Sequence, residues 1–269
     1  CGELISQIIQ APYIIKKINF KFEYIQLTKM IKFGFPLAFS GISGRILHIG
    51  DRYILGFLSN MSVVGMYSLG YKFANLIFTL FGRAFNKSYI PLAWKQYKKP
   101  NAKRFYAKSL TYYTFLLLWM SLFISIFSKG IIHLFATRAE YWGAYKIIPI
   151  VLLAKVIRSQ FTVIKMPLQF KNKTSIIAYV ITAAAALNIG LNFILIPKFS
   201  MMGAAFATFI SFLGIPLVAY IFANKYYKIN YEWNRVAVLF GIALSVYFIS
   251  LLFNPLHRTV RIICKFLLA

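Results

Sequence analysis

Apolar stretches long enough to cross a bilayer recur along this chain, and the short connections between them collect the charge. Seven can be drawn complete, at 33–58, 63–90, 107–128, 143–167, 175–197, 201–223 and 236–253. As a helix, each rises far enough to span about 30 Å of hydrocarbon, some with tilt. The sequence before Lys16 and after Pro255 reads as pieces of two more. In hydrocarbon every backbone N–H and C=O must find its partner inside the protein, which leaves helices as the form for runs of this length. The predicted fold class is therefore all-α: a polytopic transmembrane helical bundle with seven complete spans and partial spans at both ends, forming a single transmembrane domain over 1–269.

The connections predict the topology. Of the 269 residues, 31 are Lys or Arg and 5 are Asp or Glu, a formal charge of +26. On one solvated face this excess would indicate a nucleic-acid binder, but it falls in bursts between apolar stretches, so no nucleic acid is expected. The connections at 16–32, 95–108, 165–173 and 225–235 hold seventeen basic residues, and the alternate ones at 59–62, 129–142, 198–200 and 254–258 hold four. Cytoplasmic loops collect Lys and Arg, so the segment at 33–58 runs outward. Gly34, Pro36, Pro149, Gly214 and Pro216 fall within spans and are expected to kink them. The stretches "TAAAALNIG" (182–190) and "GAAFAT" (203–208) carry small side chains that let helices approach closely.

Cys1 and Cys264 are the only cysteines, too few for a disulfide framework or a paired metal motif. The opening "CGEL" has the form of a lipoprotein after signal removal, but the many spans that follow favour a partial chain.

Charges inside the spans carry the functional reading. Outside the loops there remain Arg45, Arg52, Lys72, Arg83, Lys87, Lys146, Lys155, Arg158, Arg261 and Lys265. Lys87, Lys146 and Lys265 lie where they can snorkel, and Arg261 sits in a truncated span. Arg45, Lys72, Lys155 and Arg158 fall within about three helical turns of the midplane. At about 2.5–3.5 kcal/mol each, four such charges would cost roughly 10 kcal/mol against lipid, so they must face protein or water. Spacing groups them into stripes: Arg45, His48 and Arg52 at i, i+3 and i+7, Lys72 and Arg83 eleven apart, Lys155 and Arg158 at i and i+3.

Little is available to neutralise them. Glu3, Glu23, Glu140 and Glu232 lie near predicted ends or loops, and Asp51 alone is embedded. One reading pairs Asp51 with Arg52 or another base to hold two helices together. That leaves the other charges uncompensated, and a water-filled electropositive cavity follows, suited to a polyanion and to bidentate grip of phosphate by arginine. The predicted substrate-binding residues are Arg45, Arg52, Lys72, Arg83, Lys155 and Arg158, with Asp51 and His48 as candidates for ion or proton coupling. His48 is equally readable as a hydrogen-bonded packing residue. His133 and His257 have no partner pattern, and no HExxH, GxSxG, P-loop or GxGxxG arrangement occurs in the required context. No catalytic residue, metal or cofactor is predicted, and the chain reads as a transporter rather than an enzyme.

Two stretches carry a resemblance. "KFGFPLAFSGISGRILHIGDRYILGFLSNMSVVGMYSLGYKFANLI" (32–77) and "KNKTSIIAYVITAAAALNIGLNFILIPKFSMMGAAFATFIS" (171–211) resemble the O-antigen flippases, the polysaccharide-export branch of the multidrug/oligosaccharidyl-lipid/polysaccharide (MATE-like) exporter superfamily. In the first, "FGFP", "DRYILG" and "VGMYSLGYK" stand where that family has like patterns, which matches Asp51 and Arg52 directly. The second is the more specific, because asparagines, proline and small residues are all placed in "LNIGLNFILIPKFSMMGAAFAT". Ser200 stands where the family often has glycine. The resemblance covers nearly the whole chain but only the second half of a family member, from the end of the sixth helix into the fourteenth. It implies two bundles related by an axis along the membrane normal, rocking about a substrate held between them. The implied cargo is an undecaprenyl-pyrophosphate-linked oligosaccharide crossing the bacterial inner membrane. The implied partners are that polyprenyl-pyrophosphate-linked oligosaccharide, membrane lipids, and the missing N-terminal half or a second copy.

Other functions make different demands. A drug or cation antiporter of the same superfamily should place acidic residues deep in its helices, where this chain has bases. A lipid II flippase would share the cationic cavity and differ only in cargo. A membrane-bound polysaccharide polymerase or acyltransferase would need catalytic side chains on a sizeable outer loop or a buried acid and base pair. An anion channel would conduct without alternating access.

Overall fold

The computed structural model describes Pro12 and residues 23–252. The partial spans expected at the two ends, with Cys1, Glu3, His257, Arg261, Cys264 and Lys265, lie outside the described residues. Among those described, the chain is helical between short connections. The helices are α1 (Tyr24–Leu58), α2 (Met61–Ile77), α3 (Arg83–Gln96), α4 (Ala102–Phe135), α5 (Ile148–Ser159), α6 (Phe161–Ile164), α7 (Met166–Phe170), α8 (Thr174–Phe199), α9 (Met201–Tyr226) and α10 (Trp233–Leu252). A π-helical turn, Phe78–Gly82, joins α2 to α3, and a 3-10 segment, Ala139–Lys146, precedes α5.

Length and composition let α4, α8, α9 and α10 cross a membrane on their own, and a fifth crossing results if the 3-10 segment and α5 to α7, bent by 43°, count as one span. This is a multi-pass membrane protein. The seven complete spans expected from hydropathy are met only in part, because the two remaining segments are helical but fall short. α1 carries Arg45, His48, Asp51 and Arg52 across its centre. α2 stops after 17 residues at the π turn, and α3 opens on Arg83. In α1 the shortfall comes from these polar residues, and in α2 from its length.

Proline acts in two ways here. Pro36 and Pro216 lie inside α1 and α9. Pro149 does not kink a span from within but sits at the first turn of α5, where its missing N–H costs no helical bond. The bend of the fourth segment begins there.

Helix α1 packs along α8, α8 against α9, α9 against α5, α5 against α4, and α10 on the outside of α4. The small residues expected to permit close approach are where α8 and α9 meet. A Cβ added to Gly203 would stand 2.2 Å from the Leu195 carbonyl oxygen, so only glycine fits. Ala204, Ala205 and Ala207 follow it, fully buried. Between the two helices Ser200 holds φ at 52°, a backbone region that glycine enters more easily. This is the position at which the resembling family often has glycine.

Two apolar clusters fill the bundle, one towards each end. Near the connections around 97–101, 171–173 and 227–232 an aromatic group gathers, with Tyr97 stacked on Phe170 at 4.4 Å and 5.7 Å from Tyr227. Three of the four predicted basic connections therefore share one end, and residues 16–22 of the fourth lie outside the described residues. The other end gathers Leu55, Tyr67, Ile132, Ala144, Ile147 and Ala204, around the connections predicted to be poor in charge. Outward faces are oily: Phe35, Tyr53 and Phe57 on α1 are 70%, 75% and 82% exposed, an apolar surface suited to lipid rather than water.

Candidate functional site

Between the clusters, α1, α2, α3 and the bent segment enclose a polar cavity of about 480 Å³. Its walls bring together Arg45 and His48 from α1, Arg83 from α3, and Lys155 and Arg158 from α5. Arg45 and Arg83 are exposed and stand at the mouth, while Lys155 is buried, 5% exposed. Lys165, which sequence reasoning left in a cytoplasmic loop, also lines the cavity. Its signal was present in the spacing: it lies seven residues beyond Arg158, two helical turns along the same face. Asn75, Thr79, Asn86, Ser159 and Thr162 complete the polar lining.

Two predicted residues lie elsewhere. Lys72 is exposed and lines no part of the cavity. Its pairing with Arg83 assumed an unbroken helix over eleven residues, and the π turn at Phe78–Gly82 shifts the register between them. Arg52 folds back along α1, donating from Nη1 to the His48 carbonyl at 2.9 Å, and its guanidinium lies 4.6 Å from the centre of the Tyr71 ring.

Tyr71 organises the inner end of the cavity. Lys155 Nζ lies 4.4 Å from the centre of the same ring and donates to Asn75 Oδ1 at 2.6 Å. His48 Nδ1 is 3.3 Å from the Tyr71 hydroxyl, and its ring meets Phe212 edge-on at 5.8 Å. Arg158 stacks over Phe212 at 5.0 Å and leaves its Nε–H buried without a partner. Aromatic faces thus hold three of these cations by their quadrupoles, the interaction open to a buried cation that forms no ion pair.

Carboxylates are held away from the cavity. Among the described residues the ion pairs are Arg138–Glu140 and Arg235–Glu232, both near helix ends. Glu232 also accepts from the Thr111 hydroxyl at 2.8 Å. Asp51, fully buried, makes no ion pair. It accepts a hydrogen bond from the Tyr67 hydroxyl and another from the Arg52 backbone N–H at 2.9 Å. The alternative in which Asp51 clamps two helices through a basic side chain is not the arrangement found.

Buried polar groups also lie outside the cavity, and the sequence reading did not single them out. Thr208 of α9 lies beside the Tyr67 hydroxyl. On α8, Asn192 Nδ2 donates to Asn188 Oδ1 at 3.0 Å. All three side chains are at most 1% exposed, and Asn188 Nδ2 and Asn192 Oδ1 have no partner among the described residues. Orphaned buried polar atoms are rare and call for an explanation. The i, i+4 spacing of two asparagines inside an apolar helix was the available signal. No group of three or more His, Cys, Asp or Glu side chains forms a metal site among the described residues.

With this geometry in place, comparison with known proteins adds one match. The model of a family described as polysaccharide biosynthesis protein matches residues 1–146. That range includes the first resembling stretch with Arg45, Asp51, Arg52 and Arg83, and excludes Lys155, Arg158 and the second stretch. No curated protein and no solved structure matches the chain.

Proposed function

We propose, from the premise that this chain belongs to the polysaccharide biosynthesis protein family, that it forms one bundle of a flippase carrying lipid-linked oligosaccharides across the bacterial inner membrane. The cargo in this reading is an undecaprenyl-pyrophosphate-linked O-antigen or capsule repeat unit. One observation carries it: Arg45, Arg83, Lys155, Arg158 and Lys165 line a single cavity, and no described carboxylate pairs with any of them. Cations assembled in an apolar bundle at such cost are compensated when an anion enters, and arginine matches phosphate with two hydrogen bonds at once. The cavity, at about 480 Å³, has the size of a small-molecule site, enough for the charged group and the sugar nearest it. The lipid tails stay in the bilayer.

Arg45 and Arg83 meet the cargo at the mouth, and Lys155, Arg158 and Lys165 hold its phosphates inside. Arg52 acts through Tyr71 rather than by contact, and Lys72 has no part. The open mouth faces a second bundle, either an N-terminal half or another copy, and all seven helical segments cross the membrane. Alternating access comes from rocking of the two bundles.

Energy enters through an ion or proton at Asp51. The carboxylate is fully buried without an ion pair among the described residues, which supports Asp51 over His48, whose ring nitrogen is engaged with Tyr71. A cation antiporter is disfavoured by the absence of acids from the cavity. A lipid II flippase would use the same walls, and its cargo is the difference to test. Catalysis is not part of this proposal.

The test is Arg45→Ala and Lys155→Ala, introduced into the complete protein, with outer-leaflet sugar measured. Export should fall at least tenfold at normal protein levels, and unchanged export would remove these residues from the mechanism. Transport followed as the proton and sodium gradients are collapsed in turn identifies the driving ion.

A further inference from the structure

Tyr71 is a meeting point between the cavity and the Asp51 region. One ring carries the Arg52 guanidinium at 4.6 Å and the Lys155 ammonium at 4.4 Å, and among the described residues neither forms an ion pair. The Tyr67 ring, whose hydroxyl binds Asp51, lies 5.7 Å from the Tyr71 ring. Asp51 is near enough to feel the charges of both Arg52 and Lys155. Arg158 also acts on Lys155 and Tyr71, so three positive charges stand against one negative, with His48 on the Tyr71 hydroxyl, in surroundings that screen them poorly.

We infer that Asp51 and the phosphate of a cavity-bound ligand are rival counter-ions for the cationic centre on Tyr71, so that neutralising Asp51 tightens anion binding in the cavity. Lys155 is the shared element, since it lines the cavity and also lies in the field of Asp51. While Asp51 is ionised it partly satisfies Lys155 and lowers the attraction an incoming phosphate meets. When a cation or proton neutralises Asp51, the two bases on Tyr71 stand uncompensated, and an anion in the cavity relieves them. Linkage requires the reverse effect at equal strength: a bound anion must favour cation or proton capture at Asp51. The two ligands therefore bind cooperatively across the ring, without touching. This inference rests on the reading of the cavity as an anion site, and adds the sign of the coupling.

Inorganic pyrophosphate is the probe, titrated calorimetrically into the complete protein in lipid nanodiscs. Asp51→Asn should lower its Kd by at least fivefold, within the roughly 5–150-fold range of such couplings. In the Lys155→Met background, which lacks the shared cation, the same substitution should change Kd by less than about twofold. An Asp51→Asn protein that binds pyrophosphate no more tightly than the wild type overturns the competition and leaves the anion cavity standing. A wild type and an Asp51→Asn variant that both fail to bind overturn the cavity reading itself. Should Asp51→Asn not fold, the reciprocal measurement on the wild type decides. Pyrophosphate affinity must rise with added sodium, or binding must take up protons beyond those seen with Lys155→Met, and independence from both overturns the proposal.

Discussion

The bundle holds two polar regions in the same oily surroundings, and they are built in opposite ways. The cavity gathers five cations, keeps a mouth at Arg45 and Arg83, and contains no carboxylate among its lining residues. The region around Asp51 has one carboxylate, the Tyr67 hydroxyl bonded to it and the Thr208 hydroxyl beside that, all essentially inaccessible to solvent. A wide positive site with a mouth can admit a large hydrated anion. A closed site of neutral donors and acceptors around one carboxylate suits only something small. Tyr71 stands between them, so the difference teaches how two ligands of unlike size and sign can sense each other through one aromatic ring.

Substitutions at the two regions should therefore behave differently, and the largest effect belongs to the cavity. Arg158→Met should cost at least tenfold in pyrophosphate affinity, equivalent to about 1.4 kcal/mol or more. Because it also removes a buried charge whose Nε has no partner, the variant should melt at a higher temperature than the wild type. A lower melting temperature would break the contrast by showing that Arg158 is structurally satisfied.

At the Asp51 region the sign reverses. Tyr67→Phe deletes the hydroxyl that binds the buried carboxylate and should destabilise the fold by about 1.5–3 kcal/mol, read from thermal unfolding. Gly203→Ala should cost about 1–3 kcal/mol, because its new methyl group would collide with the Leu195 carbonyl and push α8 from α9. It should weaken the sodium or proton effect more than anion binding, since Thr208, beside the hydroxyl that binds Asp51, lies on α9 five residues beyond Gly203.

Smaller effects sharpen the boundary. Ser200→Gly should stabilise by about 1 kcal/mol by relieving the positive φ, with anion affinity unchanged. Lys72→Ala should change stability by no more than about 0.5 kcal/mol and pyrophosphate affinity by less than twofold. A larger loss would return Lys72 to the transport path.

Much of this was legible in the chain before folding. Hydropathy located the helices because a segment in lipid has no alternative to pairing its own backbone, and alternation of Lys and Arg predicted which connections share an end. Arg45, Lys155 and Arg158 stood out because a midplane charge without a purpose is too costly to keep. Lys72 illustrates the limit of such counting. A stripe drawn at 3.6 residues per turn assumes a regular helix, and a single π turn between Lys72 and Arg83 carries them to different surroundings. Lys165 shows the converse, since the bent segment after Pro149 brings inside a lysine that a loop count had placed outside.

By itself, the sequence determined that the chain is a membrane bundle with too few acids to neutralise its internal bases. Composition settles that, whatever the packing. Only the tertiary structure decided which bases share a cavity, that Asp51 binds a tyrosine side chain instead of an arginine side chain, and that Asn188 and Asn192 are buried with one polar atom each left unpaired among the described residues. The physical reason is that cost depends on residue type and depth, which can be read along one chain, whereas compensation depends on which helices meet.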